Sequence, residues 1–132
     1  MPPMRMLHEI DPRKDLVSKL GPELNDVVVF NANVLVAIYM RPNKTMGGIE
    51  LTQQTMGEDE HQGKACLVVK AGPHAFKPDP DKGWFLDGAP EVGDWIVIRP
   101  SDGWPVSING VKCRMISDTA TRAQIPSPDI VW

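Results

Sequence analysis

Short apolar runs separated by proline and glycine are the feature of this sequence that most restricts its fold. The chain contains 13 prolines and 11 glycines, and most of them fall between apolar runs such as residues 34–39, 65–69 and 95–98. Proline and glycine mark turns, and apolar runs of this length are typical of strands. The sequence therefore predicts an all-β domain, either a small barrel or a sandwich.

Further strands are predicted on both sides of these central runs. Asn109-Gly110, the strongest short hairpin signal, lies between apolar runs at residues 106–108 and 111–115. A stretch rich in proline, glycine and aspartate, residues 72–90, indicates a long excursion between strands. Short strands are also expected at residues 27–30, 123–125 and 130–132.

One helix is predicted near the start of the chain. Asp11 is suited to cap it, Pro12 to occupy its first position, and Gly21 to end it, which places the helix at about residues 12–20. This helix belongs to an N-terminal extension, residues 1–26, that precedes the β domain, residues 27–132.

The composition argues against several classes of protein. Of the 132 residues, 42% are hydrophobic and 23% are charged, and the net charge is −3. Because no basic run stands out, binding to nucleic-acid phosphates is not expected. The first residues lack the apolar core of a secretory signal, and no apolar stretch is long enough to cross a bilayer, so we expect a cytoplasmic protein. Cys66 and Cys113 could pair, but both lie in strand-like runs, and buried reduced thiols are favoured over a disulfide.

No constellation of catalytic or metal-binding residues is visible in the sequence. His8, His61 and His74 are scattered without the spacing of a zinc site. The stretch that begins at Asp79 starts like a calcium loop, but it carries Trp84 where glycine is required. No nucleophile motif or phosphate-binding loop is present. We therefore expect a protein that is not an enzyme and that binds no metal or cofactor itself.

A connection of about twenty residues between two predicted strands is the main candidate for function. It covers about residues 43–62 and contains one short apolar motif, Ile49-Glu50-Leu51. In an extended segment Ile49 and Leu51 point the same way, so both can enter one apolar groove while Glu50 faces solvent. The two glycines before them permit the backbone bend that presents the pair. The alternative is that the pair is the edge of a hairpin packed on the domain's own core. The candidate docking residues are Gly47, Gly48, Ile49, Glu50 and Leu51.

The order of motifs around this connection resembles that of the GroES co-chaperonin family, the small lids of chaperonin cages. The mobile loop of that family carries Gly-Gly-Ile-Val-Leu, and residues 47–51 here read Gly-Gly-Ile-Glu-Leu. Residues 62–72 are similar to the family's return strand, which ends in Val-x-x-Gly, and residues 91–98 are similar to its Val-Gly-Asp-x-Val strand. Residues 127–131 are similar to its Ser-Asp-Ile ending, so the resemblance covers about residues 27–132.

The resemblance implies a small GroES-like β-barrel that serves as a co-chaperonin. Such a protein caps a GroEL-type chaperonin ring through its mobile loop and assists ATP-dependent folding of an enclosed client, while nucleotide is bound only by the partner. It also implies a homo-oligomeric ring, which in this family is a heptamer. Neighbouring subunits are expected to pair by strand addition. The residues predicted to form that interface are Val27, Val28, Val29, Ile130, Val131 and Trp132.

Three features depart from the family pattern. Glu50 replaces the family's central valine, the helix at about residues 12–20 is extra, and the roof segment, about residues 73–90, is rich in tryptophan and proline. Within the roof segment, Trp84 and Phe85 are expected to contact neighbours or alter the cage ceiling. These departures leave a second function open, that of a structural or assembly protein, such as a viral shell component, which reuses the same barrel.

Overall fold

The computed structural model describes residues 11–40 and 65–131 of the chain. These residues form one six-stranded antiparallel sheet and one α-helix, with strand order β4-β5-β1-β2-β3-β6. The elements are α1 (Pro12–Leu20), β1 (Asn33–Ile38), β2 (Ala65–Ala71), β3 (Trp95–Val97), β4 (Trp104–Ile108), β5 (Val111–Ser117) and β6 (Ala123–Ile125). Short 3-10 helices cover Pro22–Asp26, Asp118–Ala120 and Pro128–Val131. The predictions of the helix, the three central strands, the hairpin and the strand at residues 123–125 are confirmed.

The central strand β1 is buried on both faces of the sheet, which explains its continuous apolar run. Leu35 and Ala37 belong to one core cluster, and Leu16 and Leu20 of α1 pack into the same cluster. We call this side the helix face. Val34, Val36 and Ile38 of β1 belong to the other core cluster. The chain from β3 to β4, residues 98–103, contributes Ile98 to that cluster, so we call this side the crossover face.

The hairpin between β4 and β5 holds the end of α1. Asn109 and Gly110 both have positive φ, 50° and 77°, as a type I′ turn requires. The Asn109 side-chain amide donates to the Leu20 carbonyl oxygen and to Glu23 Oε2, each at 2.7 Å. The hydrogen bond from Asn109 lowers the pKa of Glu23. The N-terminal helix is therefore attached to the sheet by polar contacts as well as by its buried leucines.

The Val-Gly-Asp motif forms a tight turn that starts β3. The Asp94 amide donates to the Glu91 carbonyl oxygen at 3.0 Å, and the Glu91 amide donates to Asp94 Oδ2 at 2.8 Å. Gly93 has a φ of 99°, which suits the third position of a type II turn. Hydrogen bonds in both directions between this turn and Val68 align β3 with β2. The geometry of this turn therefore explains why glycine and aspartate occupy positions 93 and 94.

Two predicted strands are wrong for the described chain. Residues 27–30 are not assigned to a strand, since no neighbouring segment of the described chain forms a ladder with them. The second prediction, at residues 130–132, falls on a 3-10 helix at Pro128–Val131, and Trp132 lies outside the described residues. Pro128 explains this outcome, because its fixed φ and missing N–H group suit the first position of a helical turn.

The edge strands of the sheet are β4 and β6. In the described residues these two strands do not pair with each other, so the sheet is open. A barrel is therefore not closed by hydrogen bonds within the described part of this chain. The same residues contain no helix with the length and apolarity needed to span a membrane.

Candidate functional site

The predicted docking residues, Gly47, Gly48, Ile49, Glu50 and Leu51, lie outside the described residues. The two ends of the connection that contains them are described. The Tyr39 amide donates to the Ala65 carbonyl oxygen at 2.9 Å, and Ile38 pairs with Cys66 in the β1–β2 ladder. The chain therefore leaves the sheet and returns to it at one point. We call Tyr39 and Ala65 the stem.

Tyr39 joins the stem to the C-terminal 3-10 helix. Its side chain is only 2% exposed. The hydroxyl donates to Asp129 Oδ1 at 2.5 Å, and the ring packs edge-on against Trp95 with centroids 5.7 Å apart. The stem is therefore fixed both by the sheet ladder and by a segment 90 residues away in sequence.

The crossover between β3 and β4 lies over the opposite face of the sheet and is held by charged groups. Arg99 donates from Nε and Nη2 to Asp102 Oδ1 at 3.3 and 3.0 Å, and its amide donates to Asp102 Oδ2. Burial alone would raise the pKa of Asp102, but these hydrogen bonds and the Arg99 charge outweigh it and lower the pKa. Arg114 Nη1 donates to the carbonyl oxygens of Pro100 and Asp102. The turn is thus held by hydrogen bonds that are mostly charge-assisted.

In the segment at residues 73–90, the two aromatic residues predicted to contact neighbouring subunits differ in their surroundings. Trp84 is 45% exposed, and Lys82 Nζ lies 5.1 Å from the centre of its ring. Asp79 and Trp84 form an antiparallel bridge that closes the tip. Phe85 instead packs edge-on against Phe76, with centroids 5.4 Å apart. Trp84 is therefore available for contacts outside the chain, whereas Phe85 is largely used within it.

The predicted interface residues near the N-terminus alternate between exposed and buried. Val28 and Phe30 are 69% and 67% exposed, whereas Val29 is buried in the helix-face core. Val27 is half-buried and packs against the same core. The segment is therefore extended, with one side directed to solvent, as alternating side chains require.

The C-terminal interface residues are only partly described. Ile130 is exposed, and the side chain of Val131 and all of Trp132 lie outside the described residues. Ile130 follows directly on Asp129, the partner of Tyr39. One exposed candidate for subunit contact is thus adjacent in sequence to the residue that holds the stem.

One feature of this site is not predicted from the sequence. The Tyr39–Asp129 contact has no local signal, because it depends on the meeting of two distant segments. Phe30, which is as exposed as Val28, belongs to the continuous apolar run at residues 27–30 that is expected to pair with a neighbouring subunit.

The two thiols are unsuited to nucleophilic chemistry. Cys66 and Cys113 are buried and free, and they belong to the crossover-face and helix-face clusters respectively. Burial raises the pKa of Cys66 to about 12 and that of Cys113 to about 11. Because the thiolate is the reactive form, both are inert at neutral pH. The prediction of reduced, structural cysteines is confirmed. In the described residues no group of three or more His, Cys, Asp or Glu side chains is arranged to hold a metal ion.

No protein-family model matches this sequence, and no curated protein matches it.

Proposed function

We propose that this protein is a co-chaperonin that caps a GroEL-type chaperonin ring and assists ATP-dependent protein folding. The observation that carries the proposal is the stem: a long connection containing Gly-Gly-Ile-Glu-Leu leaves and rejoins the sheet at Tyr39 and Ala65. A fixed stem allows the connection to present Ile49 and Leu51 away from the domain without disturbing the core. Nucleotide binding belongs to the partner, and the client is enclosed without a specific contact.

The energetics of the connection favour several copies acting together. Burying Ile49 and Leu51 contributes about 3–6 kcal/mol in total. Ordering four or five loop residues costs about 4–10 kcal/mol. One copy therefore binds weakly, and useful affinity requires multivalent docking, which strengthens binding about 10²–10⁴-fold. A ring of identical subunits supplies this geometry, and by resemblance to the GroES family we propose a heptamer.

Exposed apolar residues support self-association into such a ring. Val28 and Phe30 are exposed on one side of an extended segment that has no ladder partner in the described chain. Pairing this segment with an exposed strand edge of a neighbouring subunit would bury both residues and satisfy their backbone groups. We propose that a GroES-like barrel assembles into a ring in this way, in the cytoplasm, with Trp84 near the ceiling of the cage.

A pull-down against a GroEL-type chaperonin ring, with ATP, ADP or no nucleotide, tests the proposal. Wild-type protein should bind only with nucleotide, and Ile49→Asp should abolish binding because a charge cannot enter an apolar groove. Val92→Asp is the matched control, since Val92 is exposed in the turn before β3. Binding that ignores both nucleotide and Ile49→Asp would contradict the proposal and favour a structural assembly protein. Sedimentation analysis that finds a monomer would contradict it independently.

A further inference from the structure

The pair Asn109-Gly110 at the tip of the β4–β5 hairpin is open to a spontaneous reaction of the backbone. Of the five asparagines in the chain, only Asn109 is followed by glycine. Apart from its chain neighbours, no atom lies within 4 Å of the point where a Cβ on Gly110 would be. Both residues are exposed to solvent. The amide nitrogen of Gly110 is therefore sterically free to attack the Asn109 side chain, and water can reach the product.

The reaction is deamidation through a cyclic imide. The Gly110 amide nitrogen bonds to Asn109 Cγ, the bond from Cγ to Nδ2 breaks, and Nδ2 leaves as ammonia with the proton from the Gly110 amide. Water then opens the imide. Opening at Cγ gives aspartate, and opening at the main-chain carbonyl carbon gives isoaspartate, in which the main chain runs through Cβ. Either product carries a carboxylate in place of the amide.

The Asn109 amide closes the C-terminal end of α1. The last carbonyl groups of a helix have no partner within the helix, and Asn109 Nδ2 donates to one of them, the Leu20 carbonyl oxygen, at 2.7 Å. The same nitrogen donates to Glu23 Oε2 at 2.7 Å. A Cβ on Gly21 would lie only 3.1 Å from Nδ2. The amide is thus packed directly on the helix end.

Deamidation replaces attraction by repulsion at each of these contacts. A carboxylate accepts hydrogen bonds and donates none, so oxygen would face oxygen at both Leu20 and Glu23. The Glu23 carboxyl is ionised at neutral pH, because the hydrogen bond from Asn109 lowers its pKa. A negative charge is also unfavourable beside the C-terminal end of a helix dipole. One covalent change therefore removes two hydrogen bonds and adds a like-charge pair at the same point.

We propose that Asn109 is a deamidation site and that its modification releases the last turn of α1 from the β4–β5 hairpin. The folded state restrains the reaction, because the two hydrogen bonds hold the side chain towards α1 and ring closure requires it to turn towards the Gly110 nitrogen. Conversion therefore occurs in molecules in which the end of α1 has opened locally. The carboxylate formed then prevents reattachment, which makes the site a one-way switch between an attached and a released helix end.

Ageing of the full chain at physiological temperature and neutral pH, followed by peptide mass mapping, tests the modification. We expect Asn109 to convert before the other asparagines. In Glu23→Ala, which removes one of the two hydrogen bonds, the rate should rise about threefold to tenfold. Glu91→Ala, which removes an exposed carboxylate in the turn before β3, is the matched control and should age like wild type. A folded wild type that does not convert while the chain in urea does, or equal rates in wild type and Glu23→Ala, would overturn the proposal.

Hydrogen exchange tests the release of the helix. Aged wild type and Asn109→Asp should both exchange the amides of residues 17–21 about tenfold faster than fresh wild type, with β1 and β5 unchanged. Asn31→Asp is the matched control, because Asn31 is also an exposed residue with positive φ, 58°, and lies beside Gly72 instead of α1. Adding Glu23→Gln to Asn109→Asp should restore part of the protection, because the glutamine amide donates to the new carboxylate.

The aged wild type decides the question even if Asn109→Asp does not fold. Exchange at residues 17–21 that stays at the rate of the fresh protein after conversion would overturn the release of α1. Exchange that accelerates equally in β1 and β5 would overturn it too, because the modification would then destabilise the whole sheet. Acceleration by Asn31→Asp to the same extent would show that added charge alone is responsible, which also contradicts the proposal.

Discussion

Replacing Tyr39 with Phe tests whether the stem is held by the C-terminal 3-10 helix. Phe retains the ring that packs against Trp95 and removes only the hydroxyl, which donates to Asp129 Oδ1 at 2.5 Å. A hydrogen bond to a charged group contributes about 1.5–3 kcal/mol. Asp129 is half-buried, so water replaces part of the lost contact, and we expect the free energy of unfolding to fall by about 1.5 kcal/mol.

Urea unfolding at one fixed protein concentration, followed by tryptophan fluorescence, measures this loss. Asp129→Asn and the double variant complete a double-mutant cycle, in which we expect a coupling energy of about 1 kcal/mol between the two residues. Tyr39→Phe within about 0.3 kcal/mol of wild type, or two losses that simply add, would refute the reasoning, since the hydroxyl would then have no energetic link to Asp129.

Three further predictions concern the fold. Gly72→Ala should lower the free energy of unfolding, measured in urea, by about 2–3 kcal/mol. The added Cβ would collide with backbone oxygens, including that of Phe30 at 2.9 Å. A loss below about 1 kcal/mol would show that the backbone shifts to accommodate the Cβ. Cys66 and Cys113 should react with a thiol reagent at pH 8 only in urea. Burial raises the pKa of the Cys66 thiol to about 12 from its ordinary value of 9.0. The free energy of unfolding should therefore be unaffected by this thiol below pH 9.0 and should decline as the pH rises towards 12. Cys66→Val should flatten that decline, and an unchanged slope would count against burial of Cys66 as its cause. Asn109→Gly keeps a residue that tolerates positive φ but removes the side-chain hydrogen bonds to the end of α1. We expect the free energy of unfolding to fall by about 1–2 kcal/mol. No loss of stability would mean that these hydrogen bonds are not formed.

Several elements could be predicted because their signals are local. The Pro12 and Gly21 boundaries of α1, the Asn109-Gly110 turn and the buried run of β1 each depend on backbone preferences or on neighbours in sequence. The strand predicted at residues 27–30 failed for a different reason. Apolar, β-branched residues make a segment suitable for a ladder, but a strand also needs a partner, and the described chain provides none.

The candidate site divides in the same way. The Gly-Gly-Ile-Glu-Leu motif could be identified from the sequence, because its five residues are consecutive. The contact with Asp129 that holds the stem at Tyr39 was not predicted. These two residues are separated by 90 positions in the sequence, and no local signal links them.

The sequence by itself determined the alternation of short strands and turns, the N-terminal helix and the absence of a basic run, because steric preferences and turn conformations act within a few residues. Only the tertiary structure decided that Tyr39 meets Asp129, that the two thiols lie on opposite faces of the sheet, and that Arg99 and Arg114 hold the crossover. Those outcomes depend on which distant segments become neighbours when the sheet forms, and such contacts are set by strand order and register.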